Sequence, residues 1–218
     1  MKRKKVIIFL YNRLFDPLIQ SNFWLYIKDY LQNPDRKVDY YLITYENPEF
    51  PLTEAQQKLV DEWIDQGLKW KKLKWNPGTG FKAKAFDIIQ GFFAVLGLRL
   101  KGYKHALSLA SVAGTFLYLY WLLLRNRFFL YQFEPHSEYA IDNKMWGKDS
   151  LQYKLSHYLE KKAASKARVI ASGTRFMEER IKQEWSFNAS FFKIPTVAND
   201  QKFIHSSTDR ERVRDELS

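Results

Sequence analysis

The chain has 218 residues, 46% hydrophobic and 17% aromatic, enough apolar surface for a sizeable core, which excludes wholesale disorder. It contains no cysteine, so a disulfide framework or thiolate metal site is excluded and an intracellular address is favoured. Its net charge of +11 is concentrated in residues 66–104, where nine Lys or Arg face one acid, Asp87, so an anionic partner is expected there.

The N-terminus, MKRKK followed by VIIFLY, mimics a signal peptide. Its apolar run stops after six residues at Asn12 and Arg13, short of what a signal needs, so it reads as a first strand, Lys5–Tyr11. This strand is apolar throughout, as a strand covered on both faces should be. A helix Pro17–Leu31 follows, with Asp16 as N-cap before a first-turn proline. Then come strand Val38–Thr44, helix Thr53–Gln66, strand Leu68–Trp75 and helix Lys82–Leu100.

The stretch Ala106–Leu124 has 19 residues without charge, close to the roughly 20 that span a bilayer. It reads either as a spanning helix or as a buried strand, His105–Ala110, followed by a buried helix, Val112–Arg125. Beyond it lie strand Phe128–Phe133, an irregular gap Glu134–Asp149, and helix Ser150–Ala167, with an apolar stripe of Leu151, Leu155, Tyr158 and Leu159. Strand Arg168–Ser172, helix Thr174–Trp185 and strand Ser190–Ile194 complete the alternation. Strands alternating with helices imply an α/β fold with a parallel sheet and helices on both faces.

Ligands of such sheets bind outside the carboxyl ends of the strands. The loop after Phe133 carries Glu134, His136, Ser137 and Glu138. A carboxylate beside an imidazole can hold a hydroxyl and position its proton, so Glu134 and His136 are the catalytic candidates. Ser137 and Glu138 are binding candidates, as are Asn12, Arg13, Gln20 and Ser21, which lead from the first strand into a helix N-terminus. The alternatives are a plain strand–helix connector at Asn12–Ser21 and a solvated turn at Glu134–Glu138.

Lys69, Trp70, Lys71, Lys72, Lys74, Trp75, Arg99, Lys101 and Lys104 combine lysines with aromatic rings. That composition fits contact with an anionic membrane surface, where lysines reach phosphates and rings sit at headgroup depth. Nucleic acid or a merely solvated basic face fits the same composition. The G-x-G at Gly78–Gly80 lacks the third glycine and the Lys-Ser/Thr of phosphate loops, and reads as a flexible loop. His105, His136, His157 and His205 stand too far apart for a ligand spacing, so no metal site is expected. Asn188-Ala-Ser190 is formally a glycosylation acceptor, and without a signal it carries no reading.

The segment Ile194–Phe203, IPTVANDQKF, follows a βαβ unit. It resembles the interdomain linker of GT-B glycosyltransferases of the retaining family 4, which typically carry I-P-N-G-V-D-x-x-x-F there. Ile194, Pro195 and Phe203 match in register; Thr196, Val197, Ala198 and Asn199 depart, and the glycine pair usual after the first strand is absent. The resemblance implies the Rossmann-like, N-terminal half of a GT-B fold, with an acceptor-side domain over 1–195 and a linker plus the start of a second domain over 196–218. It further implies retaining transfer of a sugar from a nucleotide sugar to a glycan or lipid-linked acceptor, as in cell-envelope polysaccharide synthesis. No cofactor or metal is implied. A C-terminal domain past Ser218 would supply most donor contacts, leaving this chain inactive alone. The address implied is cytoplasmic, peripheral on the inner face of the membrane, with no nucleic acid. A non-catalytic α/β module that binds nucleic acid or a membrane surface is the alternative.

Overall fold

The computed structural model describes residues 3–33, 35, 37–77, 81–185 and 189–194. The linker and domain boundary from Pro195 onward, Gly78–Gly80 and Asn188 lie outside these residues.

The strands are β1 (Lys4–Leu10), β2 (Val38–Glu46), β3 (Lys69–Lys74), β4 (His105–Leu109), β5 (Arg127–Tyr131), β6 (Val169–Ser172) and β7 (Ser190–Lys193). They form one sheet in the order β3-β2-β1-β4-β5-β6-β7, with every pairing parallel. The helices are α1 (Pro17–Asn22), α2 (Trp24–Gln32), α3 (Glu54–Asp65), α4 (Phe81–Leu100), α5 (Ser111–Leu124), α6 (His136–Asp142), α7 (Leu151–Lys166) and α8 (Arg175–Glu184). The expected α/β, Rossmann-like parallel sheet is thus the one observed.

Side-chain alternation along β1 divides the core. Ile7 and Phe9 join the layer under α4, α5, α7 and α8, while Ile8 and Leu10 join the layer under α1, α2 and α3. A continuous apolar run is therefore what a central strand needs. The uncharged stretch 106–124 resolves as β4, which gives Ala106 to the first layer and Leu107 and Leu109 to the second, and α5, which packs in the first. Among the described residues no helix is long and apolar enough to cross a membrane.

Caps follow the sequence. Asp16 accepts from the Leu18 amide, Thr53 and Gln56 form a reciprocal capping box, and Ser150 accepts from the Tyr153 amide.

Three expectations are corrected. The single helix Pro17–Leu31 is two helices, interrupted at Phe23. Trp24, Ile27 and Leu31 form one stripe, while Ile19, five positions before Trp24, lies about 140° from it around a continuous helix; the restart at Phe23 brings both into the same core. The gap Glu134–Asp149 contains α6. Finally, the stripe of α7 faces outward: Leu151, Leu155 and Tyr158 are exposed, and Glu160, Ala163 and Ala164 are the buried set. The alanines' small side chains let α7 pack closely against α5.

Candidate functional site

β1 and β4 are neighbours, yet the chain leaves β1 for the α1–α3 layer and leaves β4 for the opposite layer. The strand order therefore reverses between them, which opens a crevice at their carboxyl ends. Tyr11, Asn12 and Arg13 edge it on one side; Ala110 and Ser111 edge it on the other. Ala110 holds φ 67° and ψ 162°, a conformation normally reserved for glycine. Its amide donates to the Tyr131 carbonyl at 2.9 Å, which locks the turn against β5.

The turn after β5 is anchored beside it. The His136 amide donates to the Ser111 Oγ at 2.9 Å. The Ser137 hydroxyl donates to Glu160 Oε2 at 2.5 Å, and its amide lies 3.3 Å from both carboxylate oxygens. Ser137 Oγ is also 3.4 Å from His157 Nδ1. Glu160 is 3% exposed, and burial raises its carboxyl above the ordinary range, opposed by its bonds from Ser137 and Ser111. The arrangement fixes the first turn of α6 without using the His136 ring. That ring stacks on Tyr139 at 6.3 Å and meets Trp146 edge-on at 5.3 Å. Burial lowers its pKa, so at neutral pH the imidazole is uncharged and one ring nitrogen can accept a proton.

The other sequence candidates divide. Glu134 is exposed on the same turn, while Glu138 is ion-paired with Arg180 of α8. Ser137 is fully buried and bonded to Glu160. On the β1 side, Asn12 Nδ2 donates to Asp16 at 3.2 Å, Gln20 donates to the Leu14 carbonyl at 2.8 Å, and the Arg13 guanidinium lies 4.5 Å over the Phe50 ring. Ser21 is exposed on α1. Asn12 and Gln20 thus bond within their own connector. Arg13 leans toward a groove of about 420 Å³ lined by Glu46, Pro48, Phe50, Lys72 and Lys74, which the turns after β4 and β5 do not line.

The basic candidates sit at two places. Lys69 pairs with Asp39 at 2.8 Å and meets Tyr103 at 3.5 Å, at the amino end of the sheet beside Lys101 and Lys104. Arg99 there donates to Asn126 Oδ1 at 2.5 Å. Trp70 donates to Thr44 at 2.8 Å, and Lys72 lies 4.4 Å over the Trp70 ring. Lys71 and Lys74 are exposed, and Trp75 lies at the carboxyl end beneath Lys84 at 5.0 Å. Since β3 is an edge strand, its lysines also discourage edge-to-edge pairing.

The sequence reading missed a cluster at the carboxyl end of β1. Asp87 is fully buried, accepting from the Tyr11 hydroxyl at 2.5 Å and from the Asn76 amide and side chain at 3.2 and 2.6 Å. Lys84 donates to the Tyr11 hydroxyl at 2.7 Å and lies 3.8 Å from Asp87. Burial lowers the Lys84 pKa and raises that of Tyr11. The sequence signal was present: Asp87 shares one helical stripe with Gly91, Ala94, Val95 and Leu98, as Glu160 does with three alanines. No group of three or more acids or histidines placed to hold a metal occurs among the described residues.

No family model and no curated protein matches the chain. Solved structures do. Phytolacca americana UGT2, complexed with UDP-2-fluoro-glucose and pterostilbene, aligns with a TM-score of 0.59 at 12% identity over 97% of this chain and 56% of its own. Sucrose-phosphate synthase from Thermosynechococcus elongatus gives 0.61 at 11%, over 97% and 53%. Anabaena HepE, complexed with UDP and glucose, gives 0.53 at 9%, over 99% and 50%. The chain spans about half the length of these proteins. At such identities the likeness establishes the fold alone: a Rossmann-like sheet matching one half of GT-B glycosyltransferases.

Proposed function

We propose that this chain is the acceptor-side domain of a nucleotide-sugar-dependent glycosyltransferase. The observation that carries the reading is the half-buried His136 imidazole, held through its backbone amide by Ser111 at the carboxyl edge of a sheet with the half-GT-B fold. His136 contacts the acceptor hydroxyl and holds its proton in place, and exposed Glu134 on the same turn binds a second hydroxyl. Ser137, through Glu160, positions the turn. Asn12 and Arg13 lie at the cleft edge after β1, while Gln20 and Glu138 are held by Leu14 and Arg180 and Ser21 lies on α1.

In the same reading, transfer retains anomeric configuration, needs no metal or other cofactor, and uses a glycan or lipid-linked acceptor. A second domain outside this chain supplies most donor contacts. The protein works in the cytoplasm, peripheral to an anionic membrane surface reached through its basic, aromatic region.

The test uses the natural protein that carries this chain, a panel of nucleotide sugars and glycan or lipid-linked acceptors, with nucleotide release as readout. His136→Ala is expected to lower kcat by about 100-fold or more while the circular dichroism melt is preserved. A variant as fast as wild type, or no nucleotide release from any donor, would sink the proposal.

A further inference from the structure

The two helical layers differ in surface chemistry, a difference that appears only once α4, α5 and α7 are known to lie side by side. In α4, Phe86, Ile89, Phe93 and Leu100 recur at helical spacing along its outer side, with Phe93 63% exposed. α5 presents Leu122 and Leu123, the latter 73% exposed. α7 adds Leu151, Leu155 and Tyr158. A stripe of this kind running the length of a helix, about 30 Å for α4, is unlike the scattered apolar residues of an ordinary surface.

Charge sharpens the contrast. The acids in α4, α5 and α7 are Asp87 and Glu160, and both are buried. Their bases include Lys82, Lys154, Lys161 and Lys166, all exposed. Across the sheet, α1, α2 and α3 carry five acids, Asp29, Glu54, Asp61, Glu62 and Asp65, against Lys28 and Lys58. The outer face of α4, α5 and α7 is cationic and apolar, while the layer of α1, α2 and α3 is anionic; α8, beside α7, carries both signs.

We infer that the outer face of α4, α5 and α7 docks in the plane of an anionic bilayer. Its apolar side chains enter the acyl boundary, and its lysines reach lipid phosphates. A second copy of this chain is disfavoured as occupant, because a twofold contact would oppose two faces of like charge. The inference rests on the membrane contact proposed above and relocates it, from the lysines of edge strand β3 to the three-helix layer. It also sets an orientation: α4, α5 and α7 each begin at the carboxyl end of the sheet, so the crevice opens at one margin of the membrane-facing surface.

The experiment is co-sedimentation of the chain with phosphatidylglycerol-containing and pure phosphatidylcholine vesicles at low and high salt. Ile89→Ser/Phe93→Ser and Leu151→Ser/Leu155→Ser are each expected to reduce partitioning onto anionic vesicles by about tenfold or more. Lys161→Glu/Lys166→Glu should reduce binding most at low salt. Leu59→Ser/Ile64→Ser, on the opposite layer, should leave it unchanged. Equal binding by all variants, or no binding by wild type, overturns the inference. So does sedimentation velocity showing that the same variants dissolve a dimer without altering vesicle binding. Sugar transfer is not needed for this readout. Intact transfer to a soluble acceptor with lost vesicle binding separates the two readings in one direction, and the reverse separates them in the other.

Discussion

Ser137 and Glu160 stand 23 positions apart and meet in the core, the serine hydroxyl donating to Glu160 Oε2 at 2.5 Å. The contact joins the turn after β5 to the inner side of α7, and the Ser111 hydroxyl joins it from the start of α5. Three chain segments at the carboxyl end of the sheet are thereby fixed around one buried carboxyl group. His136 borrows its position from them.

Removing that group should be costly. Glu160→Ala leaves the Ser137 amide and hydroxyl without their buried acceptor, so a loss of about 2–4 kcal/mol is expected in urea unfolding. Glu160→Gln keeps one acceptor oxygen and should cost less than half as much. An alanine variant as stable as wild type would show that Glu160 does not organise the turn.

Glu160 and His136 should contribute opposing components to the pH dependence of stability, beside that of His105, whose imidazole pKa burial also lowers. Burial raises the Glu160 carboxyl above its ordinary value of 4.5, so the native state holds that proton more tightly than the unfolded chain. This contribution is fully present below about 4.5 and is lost as pH rises. Burial lowers the His136 imidazole below 6.5, so its contribution is present above 6.5 and is lost as pH falls, when the unfolded chain takes up the proton first. Unfolding free energies measured from pH 4 to pH 8 should lose the first component in Glu160→Gln and the second in His136→Asn. A variant whose curve parallels wild type contradicts the assignment for that residue.

Gly91 and Gly97, both in α4, should respond to alanine with opposite signs. A Cβ at Gly91 would lie 2.2 Å from Tyr120 Oη and 2.4 Å from Tyr45 Oη. Those hydroxyls are committed, donating to the Ile88 and Asp87 carbonyls. Gly91→Ala should therefore cost about 1–3 kcal/mol. Nothing lies within 4 Å of a Cβ at Gly97, so Gly97→Ala should stabilise by about 0.5–1 kcal/mol through helix propensity. Thermal melts of the pair decide it, and a destabilising Gly97→Ala would count against an open outer face.

The sheet was legible because its strands state their surroundings. Ile7, Ile8, Phe9 and Leu10 are apolar in succession, and only a strand covered on both faces uses such a run. Helix existence followed from caps such as Asp16 and Thr53. Orientation of the helices was less legible, because α7 has two stripes: one of leucines, which the hydrophobic pattern favours, and one of alanines with a glutamate, which the structure buries. Apolar size argued for the first, and close approach to α5 required the second. The site was half legible for the same reason. His136 is a candidate from its place after a strand, a role that the fold alone does not test, whereas Glu160 and Asp87 were passed over, because an acid in a helix is ordinarily solvated and only tertiary packing reveals its partners.

Ala110 offers the sharpest check on the crevice itself. At φ 67° and ψ 162° an alanine is strained by about 1–3 kcal/mol, and a residue without Cβ is not. Ala110→Gly releases that strain but frees the unfolded chain by about 0.4–1 kcal/mol, so a small net gain in melting temperature is expected. Ala110→Val brings a β-branched side chain to the same backbone and should destabilise by at least about 2 kcal/mol. The order Gly above Ala above Val is the reverse of what a buried strand end would give on packing grounds alone. The glycine also loosens the turn that carries Ser111, and through it His136, so the sugar transfer proposed above should fall even as stability rises. A glycine variant less stable than wild type would show that the backbone does not take this turn between β4 and α5.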